Sequence, residues 1–376
     1  MYVEERNQKY RFFERYRDPL TNKYKAVSVT MTKNTKQAQH QAQMILQAKI
    51  AKIMSQVNHI ETIHGITLQK LVDDYLTNYK PRVRRSTYAN AEMMCRSLVK
   101  SLDKDALIEK ITPLILTRTI EDMIYGSRHI SNAYASKFKI FLHQLFAFAV
   151  KESYLSDNPA EKLEIAYRPS EGSSSTRNKF LEADELNKLL EYAYGHNHNY
   201  ATLCEWLYQT GMRCGEALAL DVKDIENTSD GWVAHVNGTM EYTKLKMNEW
   251  HKTDQTKTPA GMRDVALSKR AIEIYHDRYA YADGHGYLFT TKHHTPIQIS
   301  AFNTFLRNAA KKLKIDKPVS SHIFRHTHIS KLAELGVPMY VIQQRVGHSN
   351  SRVTQEIYTH VTHEALVKNR DQLENL

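Results

Sequence analysis

From Ala166 to Arg177 the chain runs through Arg-Pro-Ser-Glu-Gly-Ser-Ser-Ser-Thr without an apolar period. Such a stretch has little to bury and much backbone freedom to lose, so it reads as a flexible linker rather than part of a core. The chain must then fold as separate bodies on either side of it. Its length agrees, because 376 residues exceed one ordinary core and suit two or three. The 41% apolar content is enough to build them.

Upstream of the linker two patterns succeed one another. Residues 64 to 165 read as helices throughout. Thr67 precedes Leu68, Leu71, Val72, Tyr75 and Leu76 at helical spacing, Ser86-Thr87 opens a second helix, and Thr112-Pro113 a third with proline where its missing N–H costs little. Ile130-Ser131 begins a fourth, carrying Phe138, Phe141, Leu142, Leu145, Phe146 and Phe148 until Asn158-Pro159 stops it. The helical period makes those aromatics core rather than a stacking platform. Lys80, Arg82, Arg84, Arg85, Lys137 and Lys139 are the residues of this region suited to contact a polyanion, against the bland alternative of a solvated face.

Residues 1 to 57 hold eleven Lys or Arg against four Asp or Glu, a net of +7 in a chain whose total is +11. Tyr10, Phe12 and Tyr16 alternate with Arg11, Arg15 and Arg17. Asp18 to Asn22, followed by Lys23, makes a turn, and Tyr24 to Thr30, with Lys25, reads as a second strand. Thr35 then opens a polar helix over Lys36 to Ile53. The expectation is a small sheet backed by one helix, with a basic and aromatic open face that can lie in a DNA groove. An excess of cations favours polyanions because neutralising phosphates releases their counterions.

Downstream of the linker, Leu186, Leu189 and Leu190 mark one helix and Leu203 to Tyr208 another, ended by Gly211 with Arg213 just beyond. A glycine there permits positive φ, so Arg213 can project from a rigid corner, with Glu216 three residues on to brace it. Trp232 to Val236 and the stretch to Tyr242 read as strands. Thr256-Lys257-Thr258, the turn at Pro259 to Gly261 and Met262 to Leu267 read as a hairpin, with Arg263 across the turn and able to meet a backbone phosphate. Ser320-Ser321 caps a helix that sets His322, Arg325, His326 and Ile329 near one face, where free N–H groups add to the positive field. Gly347-His348 ends a further helix, and Tyr358 lies ten positions on. Together Arg213, Lys257, His322, Arg325, His348 and Tyr358 suit a phosphate: arginines fork onto its oxygens at any working pH, lysine and histidine hold or move a proton, and tyrosine can be the nucleophile.

Three runs carry that set in order: Thr210-Gly-Met-Arg213-Cys-Gly-Glu216, Ser321-His322-Ile-Phe-Arg325-His326, and Val346-Gly-His348 followed by Tyr358. Here the chain resembles the tyrosine recombinases, the phage-type integrases in particular, from roughly Asn178 to its end. The resemblance implies a multidomain fold: a small N-terminal β-sheet plus helix over 1–57 that binds arm-type DNA sites, an all-α core-binding domain over 64–165, the linker 166–177, and a mainly α (α+β) catalytic domain over 178–376 with a C-terminal tail. It implies a two-domain clamp around double-stranded DNA and a covalent 3′-phosphotyrosine made by Tyr358. Arg213 and Arg325 would hold the phosphate, His322 and His348 would assist, and Lys257 would protonate the leaving 5′ oxygen. Lys252 competes for that last role because His251-Lys252-Thr253 repeats the Lys-Thr pair; the strand Arg263 to Leu267 after Lys257 decides for Lys257. Also implied are a homotetramer exchanging strands through a Holliday junction, an excisionase, a host DNA-bending protein, and no cofactor. Val346 stands where the family usually has leucine, and Ala217 where a second apolar residue is common; both are packing changes.

Other readings are weaker. His322, His326, His328 and His348 raise a metal-dependent phosphodiesterase, but no acid lies between His322 and Lys331, and two arginines would repel a cation. A type IB topoisomerase shares the six residues, and a DNA-binding protein of the same fold that has lost cleavage would lack at least one. Cys95, Cys204 and Cys214 are scattered without CxxC spacing, which indicates buried thiols rather than a disulfide framework or zinc site. The chain lacks a signal-peptide core and an apolar run of spanning length, so a cytoplasmic protein is expected, and the resemblance implies that it is nucleoid-associated in a bacterial host.

Overall fold

The computed structural model describes residues 1–6, 9–18, 23–58, 62–169, 176–254, 259–347 and 352–368. The chain divides into two compact units, Met1–Pro169 and Ser170–Leu376. The division falls inside the stretch read as a linker, of which residues 170–175 lie outside the described residues.

The first unit opens with an antiparallel meander of β1 (Tyr2–Arg6), β2 (Lys9–Arg17) and β3 (Tyr24–Met31), followed by α1 (Lys36–Asn58). The sequence reading missed β1, because Tyr-Val-Glu-Glu-Arg carries almost no apolar alternation; it is a strand because it completes the edge of β2, with Tyr2 opposite Phe13. Thr35 accepts the Ala38 N–H at 3.3 Å at the start of α1, and the helix runs five residues past the expected Ile53. Phe12 packs against Ala42 and Leu46 of α1, all three buried. Alternation along β2 then puts Arg11, Phe13, Arg15 and Arg17 on the other face. There Tyr2 and Phe13 stack at 4.9 Å, with the guanidinium of Arg11 5.1 Å from the Phe13 ring and that of Arg15 5.7 Å from Tyr2.

Among the described residues four α-helices and two short 3-10 turns make the rest of the unit, the helices being α2 (Leu68–Tyr79), α3 (Arg85–Leu102), α4 (Pro113–Tyr125) and α5 (Asn132–Lys151). Three start where a hydroxyl was expected to cap them. Thr67, Thr112 and Ser131 accept the N–H groups of Lys70, Ile115 and Tyr134 at 3.2, 3.4 and 3.2 Å. Leu71, Leu98, Leu116, Ile120, Phe138, Leu142 and Phe146 fill the centre with no exposed surface, so the aromatic run of α5 is core. That helix stops at Lys151, not at Asn158-Pro159: Ser153 takes φ 62° and the Tyr154 N–H closes on Ala149 O at 2.8 Å. Asn158 instead accepts the Ala160 N–H at 2.8 Å. Residues 166–168 are strapped to the helices rather than loose. Glu121 accepts the Ala166 N–H at 3.0 Å, Tyr125 donates to Ala166 O at 2.9 Å, and Asn132 exchanges two bonds with Arg168.

The second unit runs α6 (Ala183–His196), α7 (His198–Thr210), α8 (Cys214–Leu218), β4 (Ile225–Thr228), β5 (Gly231–Val236), β6 (Thr239–Glu241), β7 (His251–Thr253), β8 (Arg263–Ala266), α9 (Lys269–Tyr281), α10 (Ile299–Lys312), α11 (Ser321–Glu334), α12 (Met339–Val346) and α13 (Arg352–Lys368). The first arm of the hairpin expected at the Pro259–Gly261 turn, Thr256 to Thr258, lies outside the described residues, and its second arm is β8. β8 pairs with β5, Val233 opposite Ala266, in the sheet β4-β5-β8, while β7 pairs with β6, Met240 opposite Lys252. Residues 255–258 lie outside the described residues. Trp206, Leu207, Phe302 and Phe324 centre one large core, and a second, smaller core of Phe180, Ile329, Ala333, Ile342, Val346, Ile357 and Val361 binds α11, α12 and α13 together. Cys95, Cys204 and Cys214 are buried and free. No described helix is long and apolar enough to cross a membrane.

Candidate active site

Helix α7 ends in a left-handed residue, Gly211, at φ 66°. Any side chain there is strained by that φ and would also meet the His328 ring, since a Cβ would sit 2.5 Å from its Cδ2. The chain turns through buried Met212 into Arg213, the residue before α8. Glu216, at the third helical position, accepts the Arg213 N–H at 3.0 Å and pairs with its Nη1 at 2.5 Å. The other oxygen of Glu216 takes Arg263 Nη2 at 3.0 Å. Burial pushes this carboxyl up, but Arg263 and Arg213 outweigh it and hold it below the ordinary glutamate value. One buried carboxylate thus fixes two guanidiniums.

Arg263 was expected on the DNA backbone, and the structure turns it inward. Its side chain is 6% exposed, and besides Glu216 it donates to Arg345 O at 2.6 Å and Gly261 O at 2.8 Å. Every nitrogen of its fork is engaged, which makes it a brace.

Helix α11 begins at Ser321, and Ser320 makes no side-chain cap; Asn303 of α10 accepts the Ser321 N–H at 2.8 Å in its place. His322 is exposed on the first turn. Arg325, one turn on, is 2% exposed and donates to Gly211 O at 2.6 Å and Val346 O at 2.5 Å. Burial and the Arg213 charge pull it down to about 9, so it stays cationic at neutral pH. Burial, His322, Arg325 and Lys179 push His326 down to about 4, while burial and Arg345 push His328 to about 3; both imidazoles are neutral in ordinary buffers.

Three arginines converge on the end of α12. The carbonyls of Arg345, Val346 and Gly347 accept from Arg263, Arg325 and, at 3.2 Å, Arg213 Nη2. These carbonyls form the negative end of the helix, so the arrangement is favourable in sign as well as in hydrogen bonds. Gly347 ends α12 at φ 70°, where a Cβ would lie 2.7 Å from Ala260 O. Arg345 itself donates to His328 Nε2 at 3.1 Å and Gln209 O at 3.3 Å, tying α12 to α11 and α7. The sequence reading missed Arg345, because a basic residue in a last helical turn reads as a solvated dipole partner.

Of the six residues singled out, the structure brings Arg213 and Arg325 together around residues 346–347 and sets His322 on the same helix as Arg325. Lys257 and His348 lie outside the described residues, although Gly347, the neighbour of His348, is bonded to Arg213. Tyr358 is half-buried on α13 at the rim of the smaller core, and its carbonyl accepts the Thr362 hydroxyl at 2.8 Å. Among the described residues neither arginine hydrogen-bonds its hydroxyl. Lys252, the competing lysine, pairs with Asp224 at 2.6 Å. Of the candidate polyanion contacts, Arg11, Arg15, Arg17, Lys23, Lys80, Arg82, Arg84, Arg85 and Lys137 are exposed. Lys25 is exposed but ion-paired with Asp18, and Lys139 is drawn inward onto Leu163 O at 2.5 Å.

Comparison with known proteins follows the same division. Residues 179–365 match the phage integrase family, and residues 67–124 match the N-terminal SAM-like domain of phage integrases. The chain is 33% identical over 373 residues to the prophage ps2 probable integrase of Lactococcus lactis, covering 95% of this chain and 94% of that protein. Its fold is similar to the Tn1549 transposon integrase in complex with transposon right end DNA, with TM-score 0.64 and 18% identity over 81% of this chain and 99% of that one. It is also similar to a lambda integrase tetramer bound to a Holliday junction, with TM-score 0.55 and 18% identity over 93% and 96% of the two chains.

Proposed function

The chain belongs to the phage integrase family and is a site-specific tyrosine recombinase, and from that premise we propose that Tyr358 cuts DNA from the cationic corner built by Arg213 and Arg325. The observation that carries this reading is the locking of both guanidiniums onto residues 346–347, the two that precede His348. Such a site costs no reorganisation when charge spreads over the phosphate oxygens in the transition state. The Tyr358 oxygen attacks phosphorus, forming a 3′-phosphotyrosine, and the bond to the 5′ oxygen breaks as Lys257 gives that oxygen its proton. His322 and His348 donate hydrogen bonds to the phosphate, and one of them accepts the tyrosine proton. A 5′-hydroxyl from another strand then attacks the phosphotyrosine and releases Tyr358. The covalent bond conserves the phosphodiester energy, so no ATP is consumed.

Residues 1–57 form the arm-binding domain in this reading, 64–165 the core-binding domain and 178–376 the catalytic domain. The aromatic and arginine face of β2 supports the first assignment, and exposed Arg82, Arg84 and Arg85 support the second. Four copies on two DNA sites would exchange strands through a Holliday junction, as the tetramer of lambda integrase is bound to one. An excisionase and a host DNA-bending protein would set direction, and the protein would work on the nucleoid. The test is strand exchange between two duplexes taken from the ends of the element that encodes the protein. Recombinant joints formed without ATP are expected. On a supercoiled plasmid carrying the same sites, relaxation with no exchanged strands would instead indicate a topoisomerase.

A further inference from the structure

Lys179 stands at the start of the second unit, and its ammonium bonds the carboxylate of Glu356. Glu356 lies on α13 two positions before Tyr358, and Arg352, one turn earlier, pairs with the same carboxylate at 2.8 Å. The segment that carries Lys179 is itself fixed. Leu181 donates its N–H to the buried Thr327 hydroxyl of α11 at 2.9 Å. Lys317 donates to Phe180 O at 2.9 Å and to Glu185 at 2.6 Å, and Phe180 is buried in the core that α11, α12 and α13 share. Lys179 is therefore an anchored charge. The segment that carries it is bonded to the helix of Arg325, and its ammonium to the helix of Tyr358.

A pair whose side chains are each about one-third exposed adds little to global stability. Its position gives it another use. Ile357, between Glu356 and Tyr358, is fully buried in the core, so a second fixed point at Glu356 sets the rotation of α13 about its axis. We infer that Lys179 and Glu356 are a positioning pair for DNA cleavage, holding α13 from the exit of the segment that joins the two units so that Tyr358 presents its hydroxyl to the phosphate. The inference rests on Tyr358 being the nucleophile.

A charge swap separates positioning from ordinary packing. Full-length Lys179→Glu, Glu356→Lys, the double variant and Tyr358→Phe are compared with wild type on a nicked duplex taken from the DNA flanking the gene in its native element. Covalent-complex formation is timed at saturating protein, with affinity by gel shift and melting temperature measured alongside. Each single swap is expected to slow the covalent step about tenfold or more, since small misplacements of a reacting group carry such losses, while affinity and melting temperature hold. The double variant is expected to recover most of the rate, because exposed Arg352 can turn to solvent. Single swaps that react at the wild-type rate, or a double no faster than the singles, would overturn the inference. A covalent complex from Tyr358→Phe would overturn the nucleophile itself; a silent Tyr358→Phe beside fully active swaps would remove the positioning pair alone.

Discussion

Replacing Glu216 by Gln removes one charge and almost no volume from a side chain that is 2% exposed. The carboxylate receives three donors, two from Arg213 and one from Arg263. An amide keeps one acceptor oxygen and turns an NH2 group toward a guanidinium, leaving Arg263, 6% exposed, without a counter-charge. Removing one partner of a buried ion pair costs about 3–5 kcal/mol. For a unit of this size each kcal/mol is worth about 2–4 °C, which gives a melting temperature lower by about 6–20 °C at neutral pH. The pH dependence has a definite sign. The carboxyl is depressed in the fold, so its contribution is complete above its unfolded value of about 4.3 and fades as pH falls through the lower folded value. The gap between wild type and Glu216→Gln should therefore be widest near neutrality and narrow below about pH 4. Calorimetry across that range, with cleavage rates at neutral pH, makes the measurement, and cleavage should fall about 10²-fold as Arg213 loses its brace. A variant that melts within about 1 °C of wild type, less than the smallest loss reckoned here, or a gap that grows on acidification, would refute the reasoning.

Arg11→Ala and Arg15→Ala should each flatten the dependence of arm-site affinity on salt by about one ion, whereas Arg263→Ala should lower the melting temperature and leave that slope unchanged, because its fork is spent inside the protein. Titrations at several salt concentrations separate the two. Gly347→Ala should cost more than Gly336→Ala although both glycines have φ above 70° or equal to it: a Cβ at Gly347 lies 2.7 Å from Ala260 O, and at Gly336 it meets nothing within 4 Å. Urea melts should show about 1 kcal/mol for Gly336→Ala and clearly more for Gly347→Ala.

Much of this fold was legible because local chemistry and tertiary packing agree. Thr67, Thr112-Pro113 and Ser131 mark three helix starts with groups that satisfy orphan N–H donors, and the helical period of Phe138 to Phe146 marks a core face. Arg213 and Glu216 could be paired from a spacing of three residues. What was illegible depends on long-range partners. β8 pairs with a strand far upstream, Val265 opposite Ala234, while β1, whose partner β2 is its neighbour in sequence, was missed for want of an apolar pattern. The cap of α11 comes from Asn303, eighteen residues upstream. Arg263 and Lys139 read as free cations because sequence gives no sign of the carbonyls that claim them. Lys179 and Glu356 are separated by most of the catalytic unit, so no local pattern could join them.

The central claim is that Tyr358 is the nucleophile of a DNA strand transferase. The most direct test is trapping on a suicide duplex nicked near the cleavage position, with wild type and Tyr358→Phe run side by side on a denaturing gel in EDTA. A protein–DNA band from wild type that survives denaturation and is missing from Tyr358→Phe is the predicted result. A band of equal strength from Tyr358→Phe, or no wild-type band on a duplex the protein binds tightly, would contradict the account.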